Sequence, residues 1–342
     1  MPTTKEVGVA VVGATGYAGA ELVRLLASHP AADLTVATSE RDAGRPLGEV
    51  YRSLAATGLV LSRVDVEEVA RGADVAFVAL PHGKSTPVVA GLLDKGLRVV
   101  DIGADFRFAE RDVYERWYGE HQAPQLLEQA VYGLTEYERG AVAGARLVAN
   151  PGCYPTGALL ALLPLAGKLV GPVFVDSKSG TSGAGRGAAT NQLFAEVTEN
   201  VRPYSVWKHR HQPEMCSRLA LAGATTQVLF SPHLLPVARG LLSSCYVELE
   251  PGTDVAGCFS AAYDEEPFVR VLGDDAMPEP RNVRGTNMTE IGWASDADSG
   301  RTVVMSAIDN LGKGAAGQAV QNFNCMLGLD EATGLDLSPA LP

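Results

Sequence analysis

Val7-Gly-Val-Ala-Val-Val-Gly13-Ala-Thr-Gly16-Tyr-Ala-Gly19 is the stretch on which the reading of the fold turns. The run Val7–Val12 is short and mostly β-branched, as expected of a strand buried in a parallel sheet. Glycines then recur at every third position, and helical spacing follows through Ala20–Ala27. In such a turn the first glycine permits the tight bend and the next lets backbone approach a pyrophosphate. The last lets the helix pack on the strand. The helix N-terminus adds N–H groups and a partial positive charge. Gly13, Ala14, Thr15, Gly16, Tyr17, Ala18 and Gly19 are therefore expected to bind a dinucleotide. The alternative is a plain glycine-rich turn.

Working outward, Leu34–Thr38 reads as a second strand, and Asp74–Leu80 as a third that ends in Pro81-His82-Gly83. Val88–Lys95 has helical spacing, and Arg98–Ile102 is another strand. Strands alternating with helices predict an α/β fold with a doubly wound parallel sheet. An NAD site usually places an acid after the second strand; here Ser39 and Arg41 can meet a 2′-phosphate instead, which points to NADP(H). Glu40 pulls the other way. Pro81 is counted with the cofactor residues.

Composition sets the outer limits. A chain of 342 residues is long enough for two domains, and 46% hydrophobic against 20% charged residues supplies a core. The net charge of −12 argues against a nucleic-acid partner, which needs a basic face. Five cysteines with no CxxC spacing speak against disulfide frameworks and zinc ribbons and fit a reducing cytoplasm. The apolar start stops at Gly13, too short for a signal peptide core or a membrane span.

Asn150-Pro-Gly-Cys153-Tyr-Pro-Thr-Gly157 follows the strand end Leu147–Asn150 and precedes an apolar helical stretch through Leu165. Pro155 suits a first helical turn. Cys153 thereby stands at a helix N-terminus, where the dipole favours the thiolate. Cys216, Cys245, Cys258 and Cys325 read as small hydrophobes. Trp207-Lys-His209-Arg-His211-Gln-Pro213-Glu214 offers a base: in extended chain His209 and His211 point the same way. No third ligand follows at metal spacing, so no metal is expected. Ser179-Gly-Thr-Ser182-Gly183-Ala-Gly-Arg186 is a second glycine-rich loop. It misses the hydrolase elbow because Ala184 replaces a glycine, and it reads as a cofactor or substrate loop. Tyr204 and Lys208 match the YxxxK spacing of short-chain dehydrogenases by coincidence, since Pro203 and the His-Arg-His segment disfavour one helix.

The run Val148-Ala-Asn-Pro-Gly-Cys153-Tyr-Pro-Thr-Gly157 resembles the signature of the N-acetyl-γ-glutamyl-phosphate reductases, arginine-biosynthesis relatives of aspartate-semialdehyde dehydrogenase. The likeness extends through Gly13–Gly19, Asp101–Arg107, Tyr132–Leu134, Ser179–Arg186, His209–Glu214, Arg284–Asn287 and Asp309–Gln321, covering nearly the whole chain. It implies a discontinuous Rossmann domain (1–149 and 310–342) and an α+β catalytic and oligomerisation domain with a mixed sheet (150–309). The implied reaction is NADPH-dependent reduction of an acyl phosphate to a semialdehyde through a Cys153 thioester. His211 is the first choice of acid/base and His209 the second. The resemblance places Asn310 near the nicotinamide, with Ser182 and Gly183 also at the cofactor. Arg107, Asn150, Arg186 and Arg284 are candidates for the substrate's carboxylate or phosphate, since guanidinium grips both. The partners implied are a small acyl phosphate, inorganic phosphate and a second or further copies of the chain, as a homodimer or homotetramer. Two alternatives stay open: a lysine-pathway reductase acting on a carrier-linked substrate, and a non-catalytic NADP-binding regulator.

Overall fold

The computed structural model describes residues 7–187, 189–274, 276–296 and 299–339, Asn191 by its backbone alone. The chain divides into two compact units, Met1–Pro151 with Ala315–Asp336, and Gly152–Gly314 with Leu337–Pro342. The return to the first unit falls at Ala315, past the expected Asn310.

The first unit is built on a six-stranded sheet: β1 (Val7–Val12), β2 (Ala32–Thr38), β3 (Val75–Val78), β4 (Arg98–Asp101), β5 (Ala130–Tyr132) and β6 (Leu147–Ala149). Their order is β2-β1-β3-β4-β6-β5, and every pairing is parallel. All four residues of β3 are buried, the continuous apolar signature of a strand covered on both faces. The doubly wound sheet is as the sequence predicted. The helix Tyr17–Ala27 buries Leu22, Val23, Leu25 and Leu26, and the returning helix Gly317–Met326 is buried at every residue.

The second unit carries a seven-stranded mixed sheet: β7 (Leu169–Ser179), β8 (Arg202–Pro203), β9 (Val228–Leu234), β10 (Leu241–Leu249), β11 (Val269–Asp274), β12 (Thr289–Asp296) and β13 (Arg301–Ile308). The order is β11-β12-β13-β10-β7-β9-β8, antiparallel except for the β11–β12 and β7–β9 pairs. Alternation along β10 buries Leu241, Ser243, Cys245, Val247 and Leu249 on one face. The helix Cys153–Leu162 packs on that face against β10 and β13, and all its residues after Cys153 are buried. It stops at Leu162, short of the expected Leu165, and continues as a 3₁₀ stretch Leu163–Lys168, because Pro164 lacks the N–H an α-helix needs. The opposite sheet face leaves the register partners Phe174 and Tyr246 exposed by 49% and 46%.

A dinucleotide turn and a cysteine at a helix start

In the first unit the glycine turn is closed by contacts only glycine allows. Gly13 has φ +89°, and a Cβ there would lie 2.5 Å from the Ala79 carbonyl oxygen. A Cβ on Gly19 would sit 2.2 Å from the Gly13 oxygen, so helix and turn meet backbone to backbone. The turn is tied to the end of β2: Ala14 N–H donates to the Thr38 carbonyl at 2.9 Å and Gly13 N–H to the Thr38 hydroxyl at 3.2 Å. The Thr15 and Ser39 hydroxyls lie 2.8 Å apart, and Tyr51 donates to the Thr15 carbonyl at 3.0 Å. Glu40, the residue that argued for a ribose diol, accepts the Val64 N–H at 2.8 Å. Arg41 leans on Asp42 at 3.4 Å with its side chain 69% exposed. Two hydroxyls and an accessible cation are groups that suit a phosphorylated ribose.

Arg107 and Asn150 form a buried brace in the same unit. Arg107 donates from Nε to the Asn150 carbonyl at 2.8 Å and from Nη2 to the Ile102 carbonyl at 2.9 Å. The Asn150 N–H donates to the Asp101 carbonyl, its side-chain amide donates to the Ala315 carbonyl, and its Oδ1 accepts from Asn322. These two candidate substrate residues thus meet each other, through backbone.

In the second unit Cys153 is the first residue of its helix, half-buried, with Gly152 as the preceding cap in extended conformation. The Gly152 N–H donates to Glu214 Oε1 at 2.9 Å, and the Thr156 hydroxyl donates back to the Gly152 carbonyl at 3.0 Å. Pro155 sits in the first turn, where its missing N–H costs nothing. Opposite, a Cβ on Gly314 would come 2.7 Å from Cys153 Cβ, so the start of the Cys153 side chain is seated against bare backbone.

His209 and His211 are brought together, with ring centroids 4.8 Å apart, by a different route from the one expected. The chain there is a turn, Gln212 N–H donating to the His209 carbonyl, and His211 opens the helix His211–Leu221. The His211 N–H donates to His209 Nδ1 at 3.2 Å, which leaves His209 Nε2 to carry the proton of the neutral ring. Both imidazoles pack edge-on against Tyr154, the neighbour of Cys153, with centroids at 5.4 and 5.8 Å. Tyr204 and Phe230 complete the box around His209. Burial in this box, with the Arg210 charge adding, pushes the His209 pKa down to about 4. Tyr154 and Tyr204 share a hydroxyl contact of 2.8 Å; burial pushes the Tyr204 hydroxyl up to about 12. Ser205 and Trp207 have φ of 46° and 62°, so Tyr204 and Lys208 share no helix face and the YxxxK match is spacing without geometry.

Asn310 and Ser182 also meet: Asn310 donates to the Ser182 hydroxyl at 2.9 Å and accepts the Gly240 N–H at 2.9 Å. Gly183 is exposed beside them, Arg186 is partly buried further along the loop, and Arg284 is exposed. Three residues given no role from sequence hold this region. Glu214 anchors Gly152. Buried Asp309 takes Arg239 through Nε and Nη2 and the N–H groups of Gly285, Leu311 and Gly312. The one available signal was position, since Glu214 lies within the quoted histidine motif and Asp309 directly before Asn310.

Of the other cysteines, Cys245 is fully buried, its thiol pushed up to about 12, and burial also raises Cys216. Among the described residues no His, Cys, Asp and Glu cluster could hold a metal, and no helix is long and apolar enough to cross a membrane.

Residues 8–145 match the family model for the semialdehyde dehydrogenase NAD binding domain, and residues 153–310 that for the semialdehyde dehydrogenase dimerisation domain. The chain is 47% identical to the N-acetyl-γ-glutamyl-phosphate reductase of Geobacter sp. strain M21, over 98% of this chain and 99% of that one. It is 49% identical to the Magnetococcus marinus protein of the same name, over 98% of both. Among solved structures, aspartate semialdehyde dehydrogenase II of Vibrio cholerae, complexed with ASA, superposes with a TM-score of 0.74 at 19% identity, over 95% of this chain and 99% of that one. The Candida albicans aspartate semialdehyde dehydrogenase with NADP gives 0.69 at 18% identity, over 94% and 99%. These last two likenesses concern the fold. The sequence relatives go further, and the chain belongs to the N-acetyl-γ-glutamyl-phosphate reductases of the semialdehyde dehydrogenase family.

Proposed function

We propose that this chain reduces N-acetyl-L-glutamyl 5-phosphate to N-acetyl-L-glutamate 5-semialdehyde with release of phosphate, using NADPH, and that Cys153 is the nucleophile. The observation that carries the reading is Cys153 at the start of a buried helix, with Glu214 and Gly314 fixing its backbone. The Cys153 thiolate attacks the acyl carbon, the C–O bond to phosphate breaks, and a thioester remains. N–H groups of the first helical turn face the oxyanion that forms at that carbon. NADPH, when bound at Gly13–Gly19 with Thr15, Ser39 and Arg41 at its 2′-phosphate, supplies the hydride that reduces the thioester. Collapse of the resulting hemithioacetal breaks the C–S bond and returns the Cys153 thiolate. His211 serves as acid/base at the thiol; His209, held neutral, orients it.

Arg186 and Arg284 meet the substrate's anionic groups, and Arg107 supports Asn150 from within. Asn310 sets Ser182 and Gly183 for the cofactor. The chain assembles as a homodimer or homotetramer through the sheet face bearing Phe174 and Tyr246 and works in the cytoplasm, where a thiolate stays reduced.

The test is the reverse assay. Purified chain with N-acetylglutamate semialdehyde should reduce NADP⁺ only when inorganic phosphate is present, and far better than NAD⁺. NADPH binding without turnover of this semialdehyde would overturn the assignment and favour a regulator.

A further inference from the structure

Asp105, within the Asp101–Arg107 stretch, is fully buried in the first unit and takes no part in the reaction above. Its carboxylate accepts the Gly83 N–H at 2.9 Å on each oxygen. Oδ2 also accepts the Ser85 hydroxyl at 2.8 Å, the Thr86 N–H at 3.2 Å and the Thr86 hydroxyl at 2.7 Å, while Oδ1 accepts the Tyr114 hydroxyl at 3.0 Å. One carboxylate from the loop after β4 therefore caps the helix Ser85–Asp94, which begins after β3. A negative charge suits that helix end.

The turn so gripped, Pro81–Lys84, closes with Lys84 N–H on the Pro81 carbonyl, and Gly83 has φ +73°. It leaves the C-terminal end of β3, the strand beside β1, and the Ala79 carbonyl just before it abuts Gly13. Parallel sheets bind ligands outside the carboxyl ends of such adjacent strands. Pro81 and His82 are exposed there, whereas Ser85 and Thr86 are buried on Asp105.

We propose that Asp105 is a positioning residue for the bound dinucleotide, setting the turn Pro81–Lys84 beside the glycine turn through the Gly83 N–H. The proposal rests on the cofactor reading above. Asparagine cannot substitute, because its NH₂ group would face a donor whichever way the amide is turned.

The experiment compares wild type, Asp105→Asn and Thr86→Val by NADPH fluorescence titration, steady-state kinetics and circular dichroism. Asp105→Asn should raise Kd and KM for NADPH about tenfold and leave kcat within about threefold. Thr86→Val removes one hydroxyl donor, keeps the carboxylate, and should raise Kd about threefold. An unchanged Kd in a folded variant, or a fall in kcat at unchanged Kd, overturns the proposal. If Asp105→Asn fails to fold, Thr86→Val decides alone. Wild type that binds no NADPH overturns the cofactor reading and the proposal with it. That result is distinct from wild type and variants binding alike, which overturns the proposal only.

Discussion

Glu214 accepts the backbone N–H of Gly152 at 2.9 Å, so a buried side chain on the histidine-bearing helix fixes the residue that precedes Cys153, the proposed nucleophile. Placing a nucleophile within a fraction of an ångström is worth orders of magnitude in rate. Glu214→Ala should lower kcat by about 10- to 100-fold, while Glu214→Gln, whose oxygen still accepts the N–H, should lose less than about tenfold. Steady-state kinetics on both variants checks this; equal losses would show that the charge, not the hydrogen bond, matters.

Gly314 bounds Cys153 from the other side. A methyl group placed 2.7 Å from Cys153 Cβ forces one of them to move. Gly314→Ala should therefore cut kcat by at least about tenfold and change the rate at which iodoacetamide alkylates Cys153. Unaltered alkylation and turnover would mean that the backbone yields without cost.

The aromatic box sets the protonation of His209. With its pKa pushed from 6.5 down to about 4, the fold favours the neutral ring. Its contribution to stability is complete above pH 6.5 and is lost as the pH falls toward 4, because the unfolded chain binds the proton first. The His209 ring protons should titrate near pH 4 by NMR, and a midpoint of 6.5 or higher would contradict the box. With His211 as the proposed acid/base, His211→Asn should cost about 10²- to 10⁴-fold in kcat.

Asp101 shifts in the opposite sense. Burial, then the neighbouring Asp105 charge, raises its carboxyl from 3.8 to about 7. The fold prefers the protonated form, so Asp101 contributes stability that is full below pH 3.8 and is lost as the pH rises through 7. Asp101→Asn is neutral throughout. Its Tm relative to wild type should improve steadily from about pH 5 to about pH 8. A constant difference would mean that Asp101 ionises normally in the folded chain.

Local sequence carries some of this molecule and not the rest. Val7–Val12 was readable as a strand to the residue, because burial on both faces leaves an unbroken apolar run and Gly13 ends it. Cys153 at a helix start was readable from Pro-Gly before it and Pro155 after it. The pairing of His209 with His211 was readable as proximity, yet a turn and not a strand produces it, since Ser205 and Trp207 adopt left-handed backbone that no composition rule assigns to them. Glu214 on Gly152, Arg239 on Asp309 and Asp105 on Gly83 were not legible at all. Each joins groups distant in sequence, and a charged residue looks the same on paper whether it meets water or a buried N–H.

The proposed catalysis turns on a covalent bond at one sulfur. The enzyme, mixed with N-acetylglutamyl phosphate in the absence of NADPH and quenched in acid, should gain the mass of one N-acetylglutamyl group by intact mass spectrometry. Peptide mapping should place the group on Cys153, and Cys153→Ser should show neither thioester nor turnover. An unmodified Cys153 in an enzyme that still turns over, or activity that survives Cys153→Ser, would contradict the account.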